Sequence, residues 1–456
     1  MAGDDRLAAM NLFPLAGPAR RALWGAIVIG GVLGVIVLLV AGRDASPSTS
    51  RDDPSPPRPT AVATPLLSVR PAQPVGVTSP PARRAPSPGE VEVCEGDPVT
   101  ADALADLGSA RQVDTRAQVD GLIDAMRFHP DPTVRAAGLL LADSAAGLAY
   151  VVTAELDVPA CADATCATAV SMQARQRRLH QARHGLAALV ELAIGSRDLS
   201  TYALAAQWCA SAGQAVDACR QVSLAEWARR EPDNMAAWLR LAQQADARKD
   251  AEARDEALFR AAAASRQDHH HQAVVRAALA ALPDGTDALV QQHLLGLALD
   301  VRNAKLLSLF NVMAACAPGL LADANRWQRC DGLADALTRR GASMVDLRMG
   351  LSIGRAVGWS ADRVAALVQE SEALGEAHVR ALGTQPGLSC PETRVFRQFV
   401  AETGAHGELA TARAMLARSG TTPEALAVAH RERMAALQAA ASAAEAAAAT
   451  ASQGGR

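Results

Sequence analysis

The spacing of apolar residues divides the chain into three regimes. Leu23 to Gly42 is a continuous apolar run without a charge. At ~1.5 Å per residue, a helix over this run covers the roughly 30 Å hydrocarbon core of a bilayer. A single span in lipid satisfies its own backbone hydrogen bonds only as a helix. From Ala45 to Glu90 apolar positions thin out and proline recurs, most densely at Pro54, Pro56, Pro57 and Pro59. Proline removes backbone donors and fixes φ, so regular structure does not propagate, and too little apolar surface remains to repay ordering. From about residue 91 apolar residues return at spacings of three and four, as in Val119, Leu122, Ile123, Met126 and in Leu186, Leu189, Val190, Ile194. That period is helical.

Turn signals cut the third regime at short intervals: His129-Pro130-Asp131-Pro132, Gly195-Ser196-Arg197-Asp198, Glu231-Pro232-Asp233-Asn234 and Pro283-Asp284-Gly285. Helices of roughly ten to twenty residues with short connections follow. No alternating strand segment of note is present. Thr421-Thr422-Pro423-Glu424 caps a last, alanine-rich helix, with proline in its first turn. Beyond Leu437 bulky apolar residues stop, so the end is expected to fray. The expected organisation is a short tail over 1–22, a transmembrane helix over 23–42, a Pro/Ser-rich linker over 43–90, an all-α domain over 91–420 and the final helix over 421–456. As polyproline the linker reaches roughly 140 Å, and as a coil about 40 Å.

Charge adds orientation. Arg20 and Arg21 abut the run, while Arg43 and Asp44 nearly cancel on its other side. Arginines beside a span favour the cytoplasm, so the N-terminus is expected inside and the bulk of the chain outside. A cleaved signal peptide is the rival; its apolar core is usually only about 7–15 residues. Gly30 and Gly34 form a small-xxx-small pair through which two spans can approach for self-association. The net charge of −3 disfavours nucleic acid as a partner. Scarce lysine with abundant alanine and arginine fits a GC-rich bacterial genome.

All eight cysteines lie beyond the apolar run: Cys94, Cys161, Cys166, Cys209, Cys219, Cys316, Cys330 and Cys390. Eight cysteines allow 105 pairings, and sequence does not choose among them. Proximity suggests Cys161–Cys166, Cys209–Cys219 and Cys316–Cys330, leaving Cys94 with Cys390. Such bridges persist in an oxidising compartment, here the periplasm of a bacterium, with the chain held at the inner membrane through residues 23–42.

Within the helical region, Pro232-Asp233-Asn234-Met235-Ala236-Ala237-Trp238-Leu239-Arg240-Leu241-Ala242 resembles the junction of two tetratricopeptide-type repeats. Trp238, Leu241 and Ala242 sit at that family's spacings, with Phe259 and Ala262 near the second-helix positions. Ala245 replaces the usual tyrosine. Asp131-Pro132-Thr133-Val134-Arg135-Ala136-Ala137 resembles the start of the second helix in a HEAT unit. The resemblance implies an α-solenoid of stacked antiparallel helix pairs whose concave face binds peptides or proteins. A degenerate helical bundle without a groove is the alternative.

The chemical motifs are weak. Gly350-Leu351-Ser352-Ile353-Gly354 matches the nucleophile-elbow pattern, which requires a strand-to-helix turn, yet Met344 to Trp359 has a helical pattern with glycine every fourth residue. Cys161 and Cys166 followed by His180 and His184 fall near a zinc-ligand spacing. No aromatic lies between them, and thiols outside the cytoplasm oxidise. Gln181 stands where a metalloprotease needs glutamate. Arg175, Arg177, Arg178 and Arg183 surround the two histidines, so Arg175, Arg178, His180, Arg183 and His184 form a candidate interaction face for an acidic partner, anionic lipid or glycan. His269-His270-His271 lies at an expected helix start, with adventitious metal binding its foremost chemistry. Trp208 and Trp227 flank Cys209–Cys219, with Trp238 just beyond, as an expected core nucleus. Glu155, Glu256 and Glu370 are in helical contexts without distinguishing features. No catalytic residue, cofactor or metal is expected. The sequence favours an envelope adaptor or scaffold with a protein partner; an all-α cell-wall lyase and a structural spacer are the alternatives.

Overall fold

Where the three-and-four spacing predicts helices, the chain folds as helices. The computed structural model describes residues 85–100, 110–156, 184–212, 216–306, 310–383 and 387–453. The chain divides into two units, 1–88 and 89–456; of the first, only 85–88 are described, as exposed chain. The expected span at 23–42, with Gly30 and Gly34, and nearly all of the linker lie outside the described residues. Among the described residues, no helix is long and apolar enough to cross a membrane.

The second unit opens with a short ribbon absent from the sequence-based expectation. β1 (Glu90–Val91) pairs antiparallel with β2 (Val99–Thr100), Val91 opposite Val99. These strands are too short for alternation to show in the sequence. The ribbon is held from outside by Cys94, which donates its N–H to Leu388 at 2.8 Å, accepts from Ala288 at 2.9 Å and forms a disulfide with Cys390.

Helices then follow in close succession. α1 (Ala110–Arg127) and α2 (Pro132–Leu156) form a hairpin across the His129–Pro132 turn. Asp131 caps α2 by accepting from Thr133 N at 2.7 Å. Gly138 permits their crossing, because a Cβ there would stand 2.7 Å from Arg127 N. Residues 184–195 form α3, and α4 (Leu199–Ala212) begins at Asp198, whose carboxylate accepts from Thr201 N at 2.7 Å. α5 (Leu224–Arg230), α6 (Met235–Ala247), α7 (Ala251–Ala263), α8 (His271–Ala280) and α9 (Ala288–Leu306) continue the series. After α10 (Phe310–Ala315) come α11 (Ala324–Arg340), α12 (Met344–Ala356), α13 (Ala361–Leu382), α14 (Cys390–His406), α15 (Glu408–Arg418) and α16 (Pro423–Gln453).

Two cores result. One gathers Ile123, Leu141, Leu189, Leu204, Trp227, Val274, Leu294 and Val400 from α1–α5, α8, α9 and α14. The other gathers Met235, Leu239, Leu258, Leu333, Met349 and Ile353 from α6, α7, α11 and α12. The α6/α7 and α11/α12 pairs are hairpins of chain neighbours, as a stack of helix pairs requires. α8, however, packs on α2 and α14 as well as α9. A one-dimensional array contacts only its chain neighbours; here the chain also folds back across itself.

Of the glycine stripe, Gly350 and Gly354 lie in α12, but the helix ends at Ala356 rather than running to Trp359, and Gly358 sits in the turn beyond it at φ 88°. Ser352 is half-buried inside α12, with no strand before it. A Cβ on Gly350 would stand 2.8 Å from the Ala334 carbonyl oxygen of α11, and one on Gly354 would strike the Trp359 ring. The stripe therefore packs a helix closely and presents no nucleophile elbow. The final helix begins at Pro423, with Ala425 N donating to Thr422 at 3.3 Å. It docks on α13 through Leu426 beside Ala373 and Ala377, and through Arg433 donating to Glu376 at 3.0 Å. From Leu437 to residue 443 its side chains face solvent.

Candidate functional site

The densest polar chemistry lies where two loops meet beneath the start of α4. Residues 231–234 join α5 to α6, and residues 264–270 join α7 to α8. Asn234 stitches the loops: its side-chain oxygen accepts from Asp268 N at 2.9 Å and its amide donates to the Asp268 carbonyl at 2.8 Å. Met235 N donates to the Arg266 carbonyl at 2.8 Å. The same Asn234 oxygen caps α6 by accepting from Ala236 N.

Glu231 occupies the centre, 4% exposed. Its carboxylate accepts from Trp227 Nε1 at 2.5 Å, Arg266 at 2.5 Å, His270 Nε2 at 2.7 Å and Asn234 Nδ2 at 3.3 Å. Burial alone would raise its pKa. The donors, His270 foremost and then Arg266 and Trp227, outweigh burial and hold it at about 2. The carboxylate is thus ionised, and four donors use most of its capacity.

His270 packs beside Glu231 and is 7% exposed. It is the N-cap of α8 with φ at 59°, a left-handed conformation uncommon for residues other than glycine, although histidine adopts it more readily than most. Its N–H donates to Asp268 Oδ1 at 2.7 Å, which helps impose that conformation. An ionised carboxylate only accepts, so the proton on the Glu231 side sits on Nε2. Nδ1 then faces the half-buried Ser200 Oγ at 3.0 Å, with Asp268 Oδ2 at 3.7 Å.

A second polar group lies deeper. His269 is 2% exposed and stacks on His271 with ring centroids 5.7 Å apart, and Trp208 meets His271 edge-on at 5.6 Å. Burial foremost, with the nearby Arg240 and Arg302 charges, pushes His269 down to about 3, so it is neutral. Burial likewise lowers Arg240 to about 10, opposed by Asp346, while the wholly buried Asp346 is pushed up. Asp346 closes the capping box of α12 by accepting from Ser343 N at 2.9 Å.

The three histidines are therefore interior groups of 2%, 7% and 1% exposure, and not a solvent-facing metal tag. The helix start expected there is present. Trp227 is wholly buried in the core, as expected, whereas Trp238 is half-buried and donates to the Pro232 carbonyl at 2.9 Å. Of the candidate interaction face, only His184 is described, exposed at the first described position of α3; Arg175, Arg178, His180 and Arg183 lie outside the described residues. Cys161 and Cys166 lie outside them too. Glu256 pairs with Arg260 at 2.8 Å and Glu370 with Arg413 at 2.9 Å. Nothing is described of the Glu155 side chain.

Disulfides join Cys209 to Cys219 and Cys316 to Cys330, with Cα separations of 5.3 and 5.7 Å, in addition to Cys94–Cys390 at 4.6 Å. Among the described residues, Cys94, Glu95 and Cys390 form a group of potential metal-ligand atoms. The disulfide consumes both thiolates, so that group does not fit a metal. A shallow cavity of about 230 Å³ lies against Cys209–Cys219, lined by Ala206, Leu224, Arg220 and Gln244 among others. The Ser200–His270–Glu231 series of contacts leaves no mark in the sequence, because its members lie on three separate segments; the only local hint is the run of histidines directly before an apolar helix. The chain matches no protein-family model, no curated protein and no solved structure.

Proposed function

We propose that the chain is a membrane-tethered adaptor of an oxidising cell-envelope compartment, presenting a disulfide-stapled domain of stacked helix pairs to a protein partner. The observation that carries this reading is the cysteine usage. Every cysteine among the described residues is in a disulfide, a state that persists where thiols are not kept reduced. The apolar run at 23–42 supplies the anchor and the proline-rich segment the spacer. Short helix pairs such as α6/α7, with Trp238, Leu241 and Ala242 at tetratricopeptide-like spacings, support a partner-binding array. Exposed apolar residues on the α7 and α11 pair, Phe259 at 55% and Trp327 at 43%, offer contact surface.

In-cell crosslinking of the full-length protein, followed by identification of what co-purifies, tests the proposal. A reproducible, near-stoichiometric protein partner is the expected result. Self-crosslinks alone, under conditions where a known complex crosslinks, would shift the assignment to a spacer or an enzyme.

A further inference from the structure

We infer that Ser200 is an activated nucleophile, with His270 as its general base and Glu231 as the group that fixes the imidazole, and that it takes a carboxylic ester with an apolar acyl chain. Three observations carry this. The first is connectivity: Ser200 Oγ lies 3.0 Å from His270 Nδ1, and His270 Nε2 lies 2.7 Å from Glu231. A hydroxyl, an imidazole and a buried carboxylate in series are the requirements of a serine nucleophile, whichever ring nitrogen faces the serine. Because Glu231 only accepts, Nε2 carries a proton, and in the neutral imidazole the Nδ1 lone pair then faces the hydroxyl.

The second observation is enforcement. His270 is held at positive φ by the Asp268 contact and by the paired loops, and strained residues of this kind cluster at working sites. Glu231 is held by Trp227, Asn234 and Arg266, so the imidazole has little freedom to swing away.

The third is the approach to the serine. Ser200 is half-buried in the first turn of α4, and its neighbour Leu199 is 40% exposed. Asp198, directly before it, accepts from Thr133 Oγ1 at 3.0 Å, which joins this turn to the α1–α2 turn. Ile194, at the end of α3, is 49% exposed, and Phe128, at the α1–α2 turn, is 83% exposed. These exposed apolar side chains on the elements next to Ser200 are the basis for the apolar acyl chain.

In the first step the Oγ–carbonyl carbon bond forms while the hydroxyl proton passes to Nδ1. The ester C–O bond then breaks, and the leaving alkoxide takes that proton as an alcohol. Water attacks the acyl-serine in the second step, gives its proton to Nδ1 and releases the acid, returning the proton to Ser200. The Ser200 and Thr201 N–H groups are already engaged by Asp198, so among the described residues these two are not free to stabilise the oxyanion. Turnover is therefore slow, and covalent capture is the more sensitive readout.

The test uses full-length, disulfide-intact protein in detergent with a fluorophosphonate probe and p-nitrophenyl acetate and octanoate. Labelling at Ser200, located by peptide mass spectrometry, is expected to disappear in Ser200→Ala. His270→Asn, which tolerates positive φ, should slow it by about 10²- to 10⁴-fold, the usual contribution of a general base. Phe128→Ala should reduce the preference for octanoate over acetate. Circular dichroism and melting profiles identify variants that keep the fold, and Ser200→Thr supplies a second substitution at the nucleophile. Absence of labelling at Ser200 in the folded wild type overturns the inference. Labelling of equal rate in folded His270→Asn overturns it as well, since it would make Ser200 an ordinary surface hydroxyl.

Discussion

Removing the Cys94–Cys390 bridge is expected to cost more stability than removing either other described disulfide. It closes a loop of 296 residues, whereas Cys209–Cys219 and Cys316–Cys330 close loops of 10 and 14. In the chain-entropy model the long closure contributes about 5 kcal/mol and each short one about 3 kcal/mol. The bridge also fixes the β1–β2 ribbon. Val93, Cys94 and Val99 form a small core with Ala288 and Leu388, detached from the two main cores. Without the covalent link this patch depends on that cluster and on the backbone bonds from Cys94 N to Leu388 and from Ala288 N to Cys94. Urea unfolding of the Cys94→Ala/Cys390→Ala double variant should show the largest drop in midpoint of the three disulfide deletions. Its m-value should rise, because the unfolded chain is freed to expand. Amide exchange across 90–100 should quicken before any other described segment. Equal losses for all three deletions would contradict the assignment of the long bridge as the principal closure.

Glu231→Gln carries the second large effect. The carboxylate satisfies four donors inside the protein, and a carboxamide replaces one acceptor oxygen with a donor that faces Arg266 or His270. Breaking one partner of a buried pair costs about 3–5 kcal/mol. The pH dependence follows from the depressed pKa. Glu231 titrates at about 2 in the folded state against the ordinary 4.5, so folding stability from this group is fully present above pH 4.5. It is lost as pH falls from 4.5 towards 2. At about 1.4 kcal/mol per unit, the contribution is on the order of 3 kcal/mol. The difference in unfolding free energy between wild type and Glu231→Gln should therefore be largest at neutral pH and shrink through that window. A difference independent of pH between 5 and 2 would show that the variant acts through packing alone.

Much of the fold was legible because helices advertise themselves locally. Val119, Ile123, Met126, Leu189 and Val190 are buried where their spacing places them. The four turn signals each fall between helices, and proline at 132 and 423 opens the helix it was expected to open. Ile194 departs from the pattern: it sits at the end of α3 and, among the described residues, is 49% exposed. Tertiary closure was not legible: α8 meets α2 and α14 through side chains whose sequences carry no mark of one another. The relay was hidden for the same reason. Ser200, Glu231 and His270 each belong to a helix end, where polar residues are ordinary caps. Only the folding of loop 264–270 against 231–234 brings them into line.

The central claim is a helical domain outside the cytoplasm, oxidised and tethered to the inner membrane. Labelling intact spheroplasts with a membrane-impermeant thiol reagent tests it most directly. The account predicts no labelling of the untreated protein and labelling of the domain after an added reductant. Labelling without reductant would contradict the oxidised state, and labelling that requires lysis even after reduction would place the domain on the wrong side of the membrane.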